Sequence, residues 1–211
     1  MTEIQPSPRR AATRDRLIDA AVAVFAEKGV LAASVEEICE RAGFTRGAFY
    51  SNFDSKDDLC VAVLTRKGED VAAAATEAIA LVPVAPVTSG AIEQVIRSAI
   101  DVFEAGLTVD PQWLLARSEL RLYALRNPSI RAALTRAEGQ LYDLLTGAIM
   151  DALSRQGARL AIPVDRLLVV LDAYYEALNV ETILGGPGDP AARSEYLADL
   201  FRVLIIMPED R

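Results

Sequence analysis

The sequence of 211 residues contains no histidine and only two cysteines, Cys39 and Cys60. Histidine is the commonest metal ligand and the commonest general base, so its absence removes the usual Ser–His and Cys–His pairs. The cysteines lack a CxxC spacing, which favours free thiols packed in the interior over a redox switch or a metal site. No glycine-rich phosphate loop is present. The sequence therefore predicts a protein that is not an enzyme and holds no metal or cofactor.

Long apolar runs and aromatic residues are scarce as well. No stretch approaches the roughly 18 uninterrupted apolar residues that a membrane span requires, and aromatic residues make up 6% of the chain. The first 13 residues lack the apolar segment of a secretory signal. We therefore expect a cytoplasmic protein that does not associate with a membrane.

The net charge of −8 at pH 7 argues against binding to nucleic acid, but this charge is unevenly distributed. Residues 1–56 contain eight Lys/Arg and eight Asp/Glu, so the remaining 155 residues carry the whole negative charge. Only the N-terminal segment can approach DNA without strong repulsion.

The chain is rich in helix-forming residues, and its apolar residues recur at spacings of three and four. The sequence predicts an all-α fold of about nine helices, a small N-terminal domain over residues 1–56 and a larger domain over 57–211. Prolines and glycines mark most of the helix ends. The predicted helices span residues 13–28, 34–42, 45–52, 55–81, 89–105, 111–126, 128–156, 163–184 and 190–206.

The second and third helices have the pattern of a helix-turn-helix. Ser34 and Glu37 form a capping box at the start of the second helix. Gly43 permits the positive φ of a tight turn, and Thr45 caps the short third helix. In such a unit the third helix enters the major groove of DNA. We interpret Phe25, Phe49 and Phe53 as the small core beneath these helices.

On the third helix, polar residues surround the small residues Gly47 and Ala48, which suggests a DNA-binding surface. Small residues at 47 and 48 let the helix approach DNA closely, while side chains at the helix start can reach base edges. Alternatively, Arg46 and Lys56 are solvated surface charges, and Tyr50 is a half-buried tyrosine of the core. The predicted DNA-binding residues are Ser34, Thr45, Arg46, Gly47, Ala48, Tyr50, Ser51, Asn52 and Lys56.

An N-terminal basic arm over residues 1–12 carries Arg9 and Arg10, and Arg14 follows it. These arginines either track the DNA backbone or enter the minor groove. Alternatively, Arg9 and Arg10 only solubilise a disordered tail.

The segment 34–59 resembles the DNA-binding signature of the tetracycline-repressor (TetR) family. The matching parts are the Ala-Gly turn at 42–43, the Arg-Gly-Ala-Phe-Tyr helix at 46–50, Phe53, and the Ser-Lys-Asp-Asp-Leu segment at 55–59. The resemblance implies an all-helical homodimer that binds a palindromic operator in double-stranded DNA. It also implies that Tyr50 and Lys56 contact phosphates, that residues 45 and 46 read bases, and that the last two helices form a dimer bundle.

The larger domain is expected to bind a small-molecule effector. Aromatic residues at helical spacing either line its cavity or belong to an ordinary core. Glu119 is a candidate polar contact, although an ion pair with Arg117 or Arg121 is an alternative. The candidate ligand-binding residues are Phe103, Trp113, Glu119, Tyr123, Tyr142, Tyr174 and Tyr175.

The eighth predicted helix has two apolar faces. Larger residues at 167, 171, 174 and 178 suit the subunit core, while a stripe of smaller residues suits a dimer seam. The ninth helix of the same subunit is an alternative cover for that stripe. The candidate dimer residues are Val169, Ala173, Ala177, Val180 and Leu184 on the eighth helix, and Tyr196, Leu200, Val203 and Leu204 on the ninth.

These features together predict a transcriptional repressor whose dimer leaves its operator when a hydrophobic or amphiphilic ligand binds. The fourth helix links the two domains directly, so it is the expected lever. The rival hypothesis is an all-helical small-molecule-binding domain whose N-terminal helices do not read DNA.

Overall fold

The computed structural model describes residues 8–80, 91–105, 110–185 and 190–206. Within these ranges the chain forms nine α-helices and one antiparallel pair of two-residue strands, which confirms the predicted all-α class. The elements are, in chain order, α1 (Pro8–Lys28), α2 (Val35–Ala42), α3 (Arg46–Tyr50), α4 (Lys56–Ala80), α5 (Ala91–Ala105), α6 (Pro111–Arg126), α7 (Pro128–Arg155), β1 (Arg159–Leu160), α8 (Val164–Ile183), α9 (Pro190–Leu204) and β2 (Ile205–Ile206).

Within the described residues, three helix ends differ from the sequence prediction by two residues or more. Helix α1 begins at Pro8, at the helix position where a proline costs no hydrogen bond, so Arg9 and Arg10 lie on a helix instead of a separate arm. Helix α3 ends at Tyr50, two residues early. Helix α9 ends at Leu204, because the isoleucines that follow it pair with β1. The first seven residues of the predicted arm, residue 81, residues 89–90 and the proline-rich loop between the fourth and fifth helices lie outside the described residues.

The chain forms two compact units, Met1–Lys67 with Asp110–Ala137, and Gly68–Val109 with Glu138–Arg211. In the first unit α1 packs against both α2 and α6. Its core contains the predicted Phe25, Phe49 and Phe53, which are 0%, 0% and 1% exposed. Buried residues of α6, among them Leu120, complete this core. The packing of α6 on α1 explains why this unit includes residues far beyond the predicted boundary at residue 56.

The second unit has its own apolar core, in which α5 packs against α9. Leu167 and Leu178 are buried as predicted, while Leu171 and Tyr174 are half-buried and pack against the same core. The two short strands join residues 159–160 to residues 205–206, and the amide of Ala161 donates to the carbonyl of Leu204 at 2.8 Å.

None of the helices in the described part of the chain is long and apolar enough to cross a membrane.

Candidate DNA-binding site

The turn between α2 and α3 is fixed by its caps. The Ser34 hydroxyl accepts the Glu37 amide at 3.2 Å, and the Ser34 amide donates to Glu37 Oε2 at 3.1 Å, which is the predicted capping box. At the other end Gly43 adopts φ +72° and the Phe44 amide donates to the Cys39 carbonyl. These local bonds set the direction in which α3 leaves α2.

Ser34 serves this cap rather than an open anion site. Its hydroxyl also donates to Glu37 Oε2 at 3.0 Å, and the Glu37 carboxylate occupies the helix end where a phosphate would bind. The hydrogen bond from Lys28, followed by those from the Ser34 amide and hydroxyl, lowers the pKa of Glu37 to about 2, so the carboxylate is charged at neutral pH. The geometry therefore favours a structural role for Ser34 over the predicted DNA contact.

Helix α3 presents an open surface. The Thr45 hydroxyl accepts the Ala48 amide at 3.2 Å, and Thr45, Arg46 and Gly47 are exposed. A Cβ on Gly47 would contact only Thr45 Oγ1, at 3.7 Å. Packing among the described residues therefore does not require glycine at position 47. Gly47 and the half-buried Ala48 thus leave space beside this part of α3.

Tyr50 and Arg46 lie together on this surface. The Tyr50 side chain is half exposed and packs edge-on against Phe49, with 5.2 Å between ring centroids. The Arg46 guanidinium lies 5.8 Å from the Tyr50 ring centroid and forms an ion pair with Glu36 of α2 at 2.5 Å. A hydrogen bond to Tyr50 and the charge of Glu36 raise the pKa of Arg46. Glu36 is a member of this surface that the sequence analysis did not identify.

Ser51 and Asn52 bond back to α3. The Ser51 hydroxyl donates to the Gly47 carbonyl and the Asn52 amide to the Ala48 carbonyl, both at 2.8 Å. The Asn52 Oδ1 atom is buried and has no hydrogen-bond partner among the described residues. Ser51 remains exposed, whereas Asn52 is half-buried, so its predicted contact with DNA requires the side chain to turn outward.

The Lys56 ammonium is held by the loop that follows α1. It donates to the carbonyls of Val30 and Ala33 at 2.7 and 2.8 Å. An ammonium group has three N–H donors, so one remains for the predicted phosphate. Lys56 is therefore a tethered donor rather than a freely moving surface charge.

Arginines of α1 hold the backbone of the helix-turn-helix. Arg10 and Arg14 donate to the carbonyls of Ser51 and Asn52, each at 2.9 Å, and Arg14 lies 4.3 Å from the centroid of the Phe53 ring. The sequence analysis missed this anchor. Its signal was the spacing of four between the two arginines, which places them on one face of a helix.

Both cysteines are buried in the first unit, at 3% and 0% exposure for Cys39 and Cys60. Burial, together with the charge of Asp57, raises the pKa of Cys60 to about 12. Burial also raises the pKa of Cys39. Inert packing fits both thiols, as the sequence suggested.

The aromatic residues predicted to line a ligand cavity are divided between the two units. In the first unit, the Tyr123 hydroxyl donates to Asp57 Oδ1 at 2.8 Å, and Trp113 packs against the core with the Lys67 ammonium 5.5 Å from its ring centroid. The carboxylate of Glu119 lies beside Gly29, where an added Cβ would be 2.5 Å from Oε2. These three side chains thus have neighbours inside their own unit that account for their positions.

The other four aromatic candidates lie in the second unit. The rings of Phe103 and Tyr174 are 6.1 Å apart and pack against its core, and Tyr142 and Tyr175 are half-buried. The carbonyl of Tyr175 accepts the side-chain amide of Asn179, which is 2% exposed. Asn179 is a buried polar residue that the sequence analysis did not single out.

The predicted dimer residues of α8 lie on an exposed face. Val169 and Val180 are 57% and 43% exposed, and Ala173 and Ala177 are exposed too. A groove of about 700 Å³ runs along this face, from Ala173 to Gly185, with Glu176 and Glu181 among its lining residues.

On α9, Tyr196 and Val203 are exposed at 66% and 75%, while Leu200 is half-buried. Leu204 is 8% exposed and belongs to the core of the second unit, so it does not contribute to an exposed face.

The fold and the exposed surface of α3 define a helix-turn-helix protein with a second, mainly helical unit. Residues 17–63 match the model of bacterial regulatory proteins of the tetR family, and residues 90–205 match the tetracyclin repressor-like C-terminal domain. The chain belongs to the TetR family of bacterial transcriptional regulators, whose members are not enzymes.

Relatives agree with this assignment. The regulator SrpR of Pseudomonas putida is 46% identical over 55 residues, which are 26% of each chain. The repressor KstR2 of Rhodococcus jostii is 39% identical over 51 residues, 24% of this chain and 25% of that protein. The alignments thus span about a quarter of the length of these curated relatives.

The structure of the regulator FadR from Bacillus subtilis in complex with stearoyl-CoA superposes with a TM-score of 0.66. The match covers 89% of this chain and 96% of that one at 20% identity, so the likeness is one of fold.

Proposed function

We propose that the chain is a transcriptional repressor that binds operator DNA in the bacterial cytoplasm through α3. The observation that carries the proposal is the exposed start of α3, where a Cβ added to Gly47 would meet only Thr45 Oγ1 among the described residues. Thr45 and Arg46 read base edges there, and Tyr50 and the remaining donor of Lys56 contact phosphates. The functional DNA-binding domain is residues 1–56, with residues 57–211 as the effector-binding and dimerisation domain.

The repressor acts as a homodimer on a palindromic operator. Two half-sites one helical turn apart, about 34–36 Å, double the contacts that a five-residue helix makes alone. The exposed apolar stripe of α8, with Tyr196 and Val203 of α9, is the surface that two copies bury. Family members typically form dimers, which supports this part of the proposal.

A hydrophobic or amphiphilic ligand in the second unit releases the repressor. The pair of Phe103 and Tyr174, with Tyr142, Tyr175 and the buried Asn179 of the same unit, supplies apolar surface with a few polar groups, as small-molecule sites do. The fold is shared with a regulator whose structure contains stearoyl-CoA, which fits this ligand class. Helix α4 contributes to both units, so a ligand can act on the first through it. Typical coupling of about 1–3 kcal/mol weakens operator binding roughly 5- to 150-fold.

The test is binding of the purified protein to fragments of its own upstream DNA, measured by fluorescence anisotropy at two salt concentrations. We expect tight, salt-sensitive binding to one fragment, and a loss of about 1–3 kcal/mol for Arg46→Ala together with relaxed sequence preference. Tyr50→Phe keeps the ring and removes the hydroxyl, so it should weaken binding to every sequence alike.

Arg136→Ala is the matched control, because Arg136 is an exposed arginine of α7. Weak binding to all fragments, the same in every variant, would refute DNA reading and favour the rival hypothesis of a ligand-binding domain alone.

A further inference from the structure

An ion pair joins the two helices of the helix-turn-helix on their exposed side. Arg46 Nη1 of α3 lies 2.5 Å from Glu36 Oε1 of α2, and the two side chains are 59% and 55% exposed. Such an exposed pair contributes little to the stability of the fold. Buried Ile38 and Phe49 and the cap at Gly43 already fix α2 and α3 in the core. The pair therefore matters chiefly for whatever binds to this surface.

The guanidinium of Arg46 is held from two sides. The Glu36 carboxylate contacts Nη1, and the Tyr50 ring lies 5.8 Å from the guanidinium carbon. A guanidinium has five N–H donors in a fixed plane, so a carboxylate on one edge sets the direction of the opposite edge. Arg46 is thus oriented before any DNA arrives, and less freedom is lost when it binds a base.

Glu36 also places a negative charge beside the residues proposed to contact DNA. Residues 1–56 carry no net positive charge, so they have little electrostatic attraction to spare for phosphates. The Glu36 carboxylate repels the phosphates of every DNA sequence. This repulsion is offset only where Arg46 pairs with Glu36 and also donates its other N–H groups to a base edge that accepts them. Guanine offers such an edge, with O6 and N7 as acceptors.

We propose that Glu36 is a specificity-determining residue: it orients Arg46 toward one base of the operator and penalises DNA that lacks this base. This inference rests on the proposed function, since it assigns Glu36 a part in DNA reading by α3. At a matched site the ion pair persists and Arg46 donates to the base. At other sites Arg46 and Glu36 lose their hydration, but Arg46 finds no base that accepts its hydrogen bonds. The Glu36 carboxylate then faces phosphates.

The test compares wild type with Glu36→Gln on the operator and on a scrambled fragment of equal length. Removal of the carboxylate should raise affinity for the scrambled fragment about threefold, the Coulomb effect of one charge several ångströms away in water. The ratio of operator to scrambled affinity should fall at least about fivefold, the cost of one mismatched base pair. In an Arg46→Ala background, Glu36→Gln should leave that ratio unchanged.

Glu27→Gln is the matched control. Glu27 pairs with Arg41 at 2.6 Å, and the two side chains are 46% and 44% exposed, but this pair links α1 to α2 instead of α2 to α3. The control should keep the wild-type ratio.

An unchanged ratio in Glu36→Gln would overturn the proposal for Glu36. If both affinities also fall by the same factor and the melting temperature is lower, the role of Glu36 is structural. If the wild type itself fails to distinguish the two fragments, the proposed function fails and the inference fails with it. A wild type that discriminates and a Glu36→Gln variant that discriminates equally well refute only the inference.

Discussion

At the scale of single residues, Glu37 connects the start of α2 to α1. Its carboxylate accepts hydrogen bonds from Lys28 and from the amide and hydroxyl of Ser34, and these bonds lower its pKa from 4.5 to about 2. Because the native pKa is lowered, the stabilisation is complete above about pH 4.5 and disappears as the pH falls through 2.

We therefore expect Glu37→Gln to melt a few degrees below wild type at pH 7. This difference should shrink as the pH is lowered from 4.5 to 2, because the wild-type carboxylate becomes protonated. Thermal melts followed by circular dichroism measure it. Glu40→Gln, another exposed position on α2 but outside the cap, is the control and should show no such gap. A difference between Glu37→Gln and wild type that is constant from pH 7 to 2 would contradict the assignment.

The local residues of the helix-turn-helix could be predicted from sequence, but the long-range partners of its side chains could not. Ser34, Glu37 and Gly43 act through bonds to residues a few positions away, so their spacing alone predicts the caps. Lys56 bonds to carbonyls 23 and 26 residues earlier in the chain. Only the packed tertiary structure brings these groups together, and its geometry is not encoded in a short motif.

At the scale of secondary-structure elements, α3 depends on α1. A helix of five residues is far below the length that is stable by itself. Arg10 and Arg14 donate hydrogen bonds to the carbonyls just beyond its C-terminal end. Positive charge at this end of a helix is also stabilised by the helix dipole. Arg14 is therefore a positioning residue for the recognition helix, with its guanidinium already engaged within the protein.

We expect Arg14→Ala to weaken operator binding about tenfold, which corresponds to one charge-assisted hydrogen bond. The slope of log affinity against log salt should stay at its wild-type value, because no phosphate contact is lost. If Arg14 instead contacts a phosphate, that slope falls by about 0.9. Arg136→Ala, at an exposed arginine of α7, is the control and should keep the wild-type affinity and slope.

The helices themselves were largely predictable, because apolar periodicity and the prolines or glycines at helix ends are local features of the sequence. Two features were not. The strands β1 and β2 have two residues each, too short for a periodic pattern, and they pair residues 159–160 with residues 205–206. The anchoring arginines of α1 were interpreted as an arm because charge alone does not tell which backbone carbonyl a guanidinium reaches.

At the scale of the whole molecule, the ligand prediction shows a further limit of sequence. Aromatic residues at helical spacing were grouped by type, but Trp113 and Tyr123 belong to one unit while Phe103 and Tyr174 belong to the other. In the first unit α6 contributes Leu120 and Ala124 to the core shared with α1. Membership of a core depends on which helices pack together, which one sequence without its fold does not reveal.

The exposed stripe of α8 argues for a second copy of the chain. Val180 lines the groove together with Glu176 and Glu181, and Leu184, which also lines it, is 79% exposed. Burial of such side chains against a partner yields about 25 cal/mol per Å² of apolar surface. A carboxylate at position 180 would be buried in the dimer interface beside those of Glu176 and Glu181. Dimerisation would then lose the apolar contact of Val180 and bring a third negative charge next to two others.

We therefore expect wild type to sediment at twice the chain mass of 22.8 kDa, and Val180→Glu to sediment as a monomer. The variant should also bind a palindromic operator with sharply reduced affinity, because one five-residue recognition helix replaces two. Val71→Glu is a close control: Val71 is 42% exposed against 43% for Val180, and it lies on α4, outside the proposed interface. A Val180→Glu variant that remains dimeric would place the interface elsewhere, whereas a monomeric wild type would remove the two-half-site mechanism altogether.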